Sequence, residues 1–163
     1  MPKKPSVIVV MGSDSDLDTM DEAAKILKEY GVPYKTRIMS AHRSPDDVAR
    51  FAKGARRDGV KVIIAGAGGA AHLAGVIASH TTLPVIGVPI QTKELQGIDS
   101  LFSTVQMPSG VPVAAVTIGR TGAKNAGLLA LEILSLNDKR IEKKLDDFKK
   151  SLVAVVRKKN KNI

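Results

Sequence analysis

His42 and Arg43 stand side by side in Ser40-Ala41-His42-Arg43, after a β-type run and just before a helix start. An imidazole has an ordinary pKa near ~6.5, so one ring can both give and take a proton at neutral pH. A guanidinium grips anions through charge-assisted, often bidentate hydrogen bonds. The pair therefore offers proton transfer beside an anchored anion. Two other loops carry compatible residue types. Gly12-Ser13-Asp14-Ser15-Asp16 brings hydroxyls and carboxylates ahead of a helix. Such a loop binds anions through free backbone N–H groups, although Ser and Asp there are equally good helix caps. Asp14 and Asp16 would repel a phosphate placed against them, so at least one suits sugar hydroxyls instead. Gly66-Ala67-Gly68-Gly69-Ala70-Ala71-His72-Leu73 supplies bare backbone that a flat ligand can approach closely. Its glycine spacing is not a dinucleotide fingerprint, and no phosphate-loop motif occurs. His72 reads either as a capping residue at a helix start or as part of a site. His80, between Ser79 and Thr81 at a helix end, reads as structural. Three histidines this far apart do not spell a metal site.

The elements that must position these loops follow from hydrophobic period. Ser6–Met11, Tyr34–Met39, Val60–Ala65, Leu83–Val88 and Val113–Ile118 are short runs rich in β-branched residues, read as strands. Leu17, Met20, Ala23, Ala24 and Leu27 recur at helical spacing, as do Val48, Phe51, Ala52 and Ala55. Ser44 is placed to cap the second of these helices, with Pro45 as its first residue and Asp46 and Asp47 in its first turn. A connection at Pro89–Gly97 leads into a short amphipathic turn at Ile98, Leu101 and Val105. An Ala/Leu-rich helix spans Ala123–Leu136, apolar nearly all round, which hints at a subunit interface. Ile141, Leu145, Phe148, Leu152 and Val155 form a seam with steps of 4, 3, 4 and 3 on a last helix, Asp138 to Arg157. That seam covers either its own domain or a neighbouring subunit. Residues 158–163 read as frayed. Alternating strands and helices predict a three-layer α/β/α sandwich with a parallel sheet of about five strands. In such sheets ligands bind outside the carboxyl ends of the strands, where all three loops belong.

Composition narrows the function classes. The 163 residues suit a single domain, 1–163, with an α/β core at about 7–136 and a C-terminal helix at 138–157. Apolar residues make up 44% and aromatics only 3%, so the core is aliphatic and base-stacking platforms are lacking. The absence of cysteine excludes disulfides and thiolate chemistry and fits a reducing cytoplasm. No apolar run reaches the ~18 residues of a membrane span, and Met1–Pro5 leading into Val7–Val10 does not read as a secretion signal. Net charge is +9, and Lys139–Ile163, with ten Lys/Arg against three Asp/Glu, carries +7 of it. That tail reads as a solvated basic face, with a contact to a phosphate polymer as the alternative. From the residues alone the ligand is a small sugar phosphate with a flat head, and neither nucleic acid nor membrane is expected as a partner.

Several motifs, in order, resemble one family. They are Met11–Asp16, Ser40–Arg43, Ala65–Leu73, Gly87–Pro89, Gly97–Leu101, Val105–Gly110 and Ala123–Gly127. Together they resemble the bacterial N5-carboxyaminoimidazole ribonucleotide mutases of purine biosynthesis. The resemblance implies a flavodoxin-like fold, a cytoplasmic homo-octamer and no metal or organic cofactor. It implies migration of a carboxylate from nitrogen to ring carbon, giving 4-carboxy-5-aminoimidazole ribonucleotide, downstream of an ATP-dependent N5-carboxyaminoimidazole ribonucleotide synthetase. It makes His42 the general acid/base and Ser13, Asp16 and Arg43 the core substrate-binding set. Gly12, Ser15, Ser40, Ala41, Gly68, Gly69, Ala70, His72 and Leu73 are then supporting residues. Two departures stand out: Ala74 where Pro is usual, and Asp14 at a position the family varies. The rival branch, a carboxylase using carbon dioxide directly on aminoimidazole ribonucleotide, typically has Lys where this chain has Arg43. A non-catalytic nucleotide- or flavin-binding module would leave His42 idle.

Overall fold

A computed structural model describes residues 4–161. Five parallel strands form one sheet in the order β2-β1-β3-β4-β5. They are β1 (Val7–Met11), β2 (Tyr34–Ile38), β3 (Val62–Ala67), β4 (Val85–Pro89) and β5 (Ala114–Ala115). β1 and β4 are buried throughout, and β3 in all but its last residue, as central parallel strands covered on both faces must be. β2 lies at one edge, and four of its five residues are exposed, which is why it tolerates Lys35, Thr36 and Arg37. Arg37 lays its guanidinium over the Phe51 ring, 5.4 Å from the centroid. The chain runs from β1 out to β2, then returns to β3 on the other side of β1. That reversal makes the β1/β3 boundary the switch point where flavodoxin-type sheets open a ligand crevice.

The helices are α1 (Leu17–Glu29), α2 (Pro45–Ala55), α3 (Leu73–Ser79), α4 (Ile98–Val105), α5 (Gly119–Ser135) and α6 (Lys139–Asn160). Side chains alternate faces along a strand. Ile8, Val10, Ile63, Ala65 and Val85 share one core cluster with Val48, Ala52 and Ala55 of α2 and Leu73, Ala74 and Ile77 of α3. On the opposite face Gly66 meets Met20 of α1. Each of these fully buried Ile, Leu or Met side chains contributes about 1.5–3 kcal/mol by leaving water. α1 and α5 also approach closely: a Cβ on Gly127 would lie 2.9 Å from Ile26 Cβ. Glu22, 6% exposed, ties the same two helices by accepting from Lys25 at 3.1 Å and from Arg120, and by pairing with Lys124 at 3.3 Å. Hydrogen bonds from these cations, Lys25 foremost, hold its carboxyl down to about 2 against the opposing effect of burial.

The fifth strand is shorter than the Val113–Ile118 run predicts. Only Ala114 and Ala115 pair with β4, followed by one more bond from Val116 N to Gly87 O at 3.0 Å. Pro112 has no N–H to offer a ladder. The chain divides after Ala130 into two compact units. The first carries the sheet and the loops at its carboxyl edge. In the second, Asp138 caps α6 by accepting from Arg140 N at 2.9 Å, and Lys149 pairs with Glu132 at 3.5 Å. The predicted seam starts with Ile141 and Leu145 buried and ends with Leu152 and Val155 exposed. α6 is helical to Asn160, three residues past the expected end at 157; Asn162 and Ile163 of the segment read as frayed lie outside the described residues. No helix of the described residues is long and apolar enough to cross a membrane.

Candidate active site

β1 delivers the first loop. Gly12 N donates to Gly66 O at 3.2 Å, which fixes the loop to the end of β3. The Ser13 hydroxyl caps a single 3-10 turn over Asp14–Asp16, accepting from Ser15 N at 3.3 Å. This turn leads directly into α1. Asp16 is 8% exposed, and burial pushes its carboxyl above the usual range. The Ser15 hydroxyl, donating to it at 3.3 Å, and a backbone bond at Ser13 work in the other direction. A buried carboxylate of this kind has lone pairs left for hydroxyl donors on a ligand.

β2 delivers the second loop. Residues 40–44 close a turn, with Ser44 N donating to Ser40 O at 2.9 Å. Ser44 stands at the N-cap of α2 but makes no capping bond. It spends its hydroxyl on the turn, donating to Ser40 O at 3.1 Å and accepting from Ser40 N at 3.2 Å. The Ser40 hydroxyl accepts from Arg43 N at 3.2 Å and Arg43 Nε at 3.4 Å. Arg43 then reaches across to Gly12 O at 3.2 Å. The guanidinium is thus pinned between the first two loops and keeps further N–H donors for an anion.

β3 delivers the third loop. Gly69 (φ +66°) and Ala71 (φ +46°) are both left-handed. For Ala71 this costs about 1–2 kcal/mol, so the loop's shape is imposed by its surroundings. His72 occupies the N-cap position of α3 without a capping bond, so capping is not how its side chain is used. Its Nδ1 lies 2.7 Å from His42 Nε2, with the rings 76° apart and their centroids separated by 4.8 Å. One ring must donate and the other accept, so at most one of the two is doubly protonated while the contact holds. Ala74, where the resemblance expects Pro, lies in the first turn of α3, where a missing N–H costs no helix bond.

Together these loops line a cleft of about 550 Å³, ample for a small ligand. Gly12, Ser13, Ser15, Asp16, Ser40, Ala41, His42, Arg43, Gly68, His72 and Leu73 all face it. Gly69 and Ala70 do not; Ala67 and Ala71 take their place on the wall. His80 ends α3, away from the cleft. A fourth wall, Ile90–Glu94 after β4, is missing from the sequence reading, which treats Pro89–Gly97 as a plain connection. Its signal was positional: like the other three, it follows the carboxyl end of a parallel strand. A separate hollow of about 480 Å³ along α6 is lined by residues such as Lys150, Val153 and Arg157, with no group suited to neutral-pH proton transfer.

Residues 6–154 match the family described as AIR carboxylase. N5-carboxyaminoimidazole ribonucleotide mutase from Pyrococcus horikoshii is 56% identical over 161 residues, covering 99% of this chain and 90% of that protein. The protein of the same name from Bacillus subtilis is 58% identical over 144 residues, covering 88% of this chain and 89% of its own. Among solved structures, Treponema denticola PurE superposes with a TM-score of 0.88 at 32% identity, over 98% of both chains.

Proposed function

The chain belongs to the AIR carboxylase family, and on that premise we propose that it converts N5-carboxyaminoimidazole ribonucleotide to 4-carboxy-5-aminoimidazole ribonucleotide in purine biosynthesis. The observation that carries this reading is His42, held by a 2.7 Å contact to His72 in the same cleft as the pinned Arg43 and the buried Asp16. The N–C bond to the carboxylate breaks and its electron pair stays on nitrogen. His42 gives that nitrogen a proton, leaving aminoimidazole ribonucleotide and carbon dioxide. The ring carbon then attacks carbon dioxide, and His42 takes the proton displaced from that carbon. One proton cycles and no net acid is consumed. Arg43 and Ser13 hold the phosphate, Asp16 accepts from the ribose hydroxyls, and the Gly68–Leu73 wall lies against the imidazole. Gly12, Ser15, Ser40 and Ala41 complete the floor.

The whole chain serves one catalytic unit, working in the cytoplasm on the product of an ATP-dependent synthetase. Assembly as a homo-octamer is supported by apolar side chains left in water. Ile98, Phe102 and Val105, at steps of 4 and 3 on α4, are all more than half exposed. The deciding experiment supplies N5-carboxyaminoimidazole ribonucleotide in buffer containing 13C-labelled bicarbonate. Unlabelled product supports carboxylate migration. Product labelled from solution points to the carboxylase branch, and absence of product rejects both.

A further inference from the structure

We propose that Ser100 is the positioning residue of the cleft: its buried hydroxyl locks the loop carrying His72 to the end of β4 and so sets the contact between His42 and His72. The inference rests on the reading of His42 as the proton carrier. Ser100 is completely buried in the first turn of α4. Its hydroxyl donates to Ile90 O at 2.7 Å and accepts from Gly69 N at 3.0 Å. One side chain therefore bridges two walls of the cleft that are far apart in sequence. One turn later on the same helix face, Ser103 donates to Gly69 O at 3.4 Å. Both polar groups of Gly69 are gripped by α4.

The grip falls on the segment that needs it. Gly69 and Ala71 hold left-handed conformations, and an Ala does so only when its surroundings over-determine the loop. His72 follows directly. α4 also fixes the second wall: Asp99 accepts from the Thr92 hydroxyl at 2.9 Å, and Gly97 N donates to that hydroxyl at 3.3 Å. The start of α4 is thus a mount for both the His72 loop and the Ile90–Glu94 wall, although Ser100 itself touches neither histidine. Losing the Ser100 hydroxyl leaves the half-buried Gly69 N–H and the buried Ile90 C=O without this partner. The loop is then free to relax toward ordinary backbone angles, taking His72 with it. Arg43, Ser13 and Asp16 sit on the β1 and β2 loops and keep their places, so binding and chemistry should separate.

In Ser100→Ala we expect kcat for carboxylate migration to fall about 10- to 100-fold, the scale of a ~1 Å misplacement of a reacting group. KM should change less than about threefold. Ser100→Thr, which keeps the hydroxyl, should recover most of kcat. Independently of substrate, histidine-ring 15N shifts at one fixed pH should show His42 and His72 as a hydrogen-bond-coupled pair in the wild type and as two unbonded rings in Ser100→Ala. A kcat within threefold of wild type, or a coupled pair that survives in Ser100→Ala, overturns the proposal. Should Ser100→Ala fail to fold, Ser100→Cys, whose thiol is a far weaker donor and acceptor in the same place, carries the ring measurement: a loosened pair supports the clamp and an unchanged one overturns it. A wild-type protein with no turnover refutes the catalytic reading alone, because the ring shifts still test the clamp.

Discussion

Gly66→Ala puts the packing beneath the cleft to a quantitative test. Gly66 lies in β3 between Met11 of β1 and Val88 of β4. A Cβ there would stand 2.3 Å from Met20 Sδ, 2.9 Å from its Cγ and 3.0 Å from its Cε. Non-bonded heavy atoms settle at roughly 3.5–4.0 Å, so the sulfur must retreat by more than about 1 Å. Met20 is fully buried on α1, and β3 is held by ladders on both sides. Overpacking of this kind costs about 1–3 kcal/mol. With a urea dependence of about 2 kcal/mol per molar, a loss of about 2 kcal/mol moves the unfolding midpoint by about 1 M. Met20→Ala alone should cost about 2–5 kcal/mol through the cavity it leaves. In that background the added methyl has room, so the double variant should be more stable than additivity predicts by at least about 1 kcal/mol. Additivity within about 0.5 kcal/mol would show that Met20 is not what the methyl meets and would refute the reasoning. Gly66 O accepts from Gly12 N, and Gly12 O accepts from Arg43, so a strand displacement here should also reduce turnover.

The remaining expectations concern the charged groups. Arg43→Lys removes the bonds to Ser40 Oγ and Gly12 O, since an ammonium cannot reproduce the fork; KM should rise about tenfold, with kcat within threefold, in steady-state assays. Asp16, raised above 3.8 by burial, is stabilising when protonated, and that contribution disappears as pH rises through its elevated value. Asp16→Asn should therefore raise the unfolding midpoint at pH 7 while weakening ligand binding. Glu22 has the opposite sign. Depressed from 4.5 to about 2, it contributes stability that is fully present above 4.5 and is lost as pH falls through about 2. Glu22→Gln should flatten the acid-unfolding curve between those values, and an unchanged curve would exclude the helix tie as its source.

The parts of this molecule that local patterning controls were legible in the chain. Val7–Met11 and Val85–Pro89 are aliphatic because a central parallel strand has no polar face, and they read as strands for that reason. The histidine, the arginine and the small-residue loops could be placed at one sheet edge because each follows a strand. What was not legible depends on tertiary contact. His72 looked equally like a cap until folding brought it against His42, 30 positions earlier in the chain. Ser100 falls inside the Gly97–Leu101 motif, but the motif gives it no role, since a buried hydroxyl bridging two loops leaves no periodic signal. The Ile90–Glu94 wall carries no histidine or arginine to draw attention, and its place in the cleft follows only from the order of the strands. Val113–Ile118 has strand composition throughout, but hydrogen bonding to a single neighbour and a preceding proline leave only two paired residues.

The most direct test of the central claim is turnover of N5-carboxyaminoimidazole ribonucleotide by His42→Asn beside the wild type, with ligand affinity measured by calorimetry on both. Asparagine cannot carry a proton at neutral pH, so kcat should fall by about 10²–10⁴-fold while the dissociation constant stays within about threefold. Turnover by His42→Asn within threefold of the wild type would contradict the account.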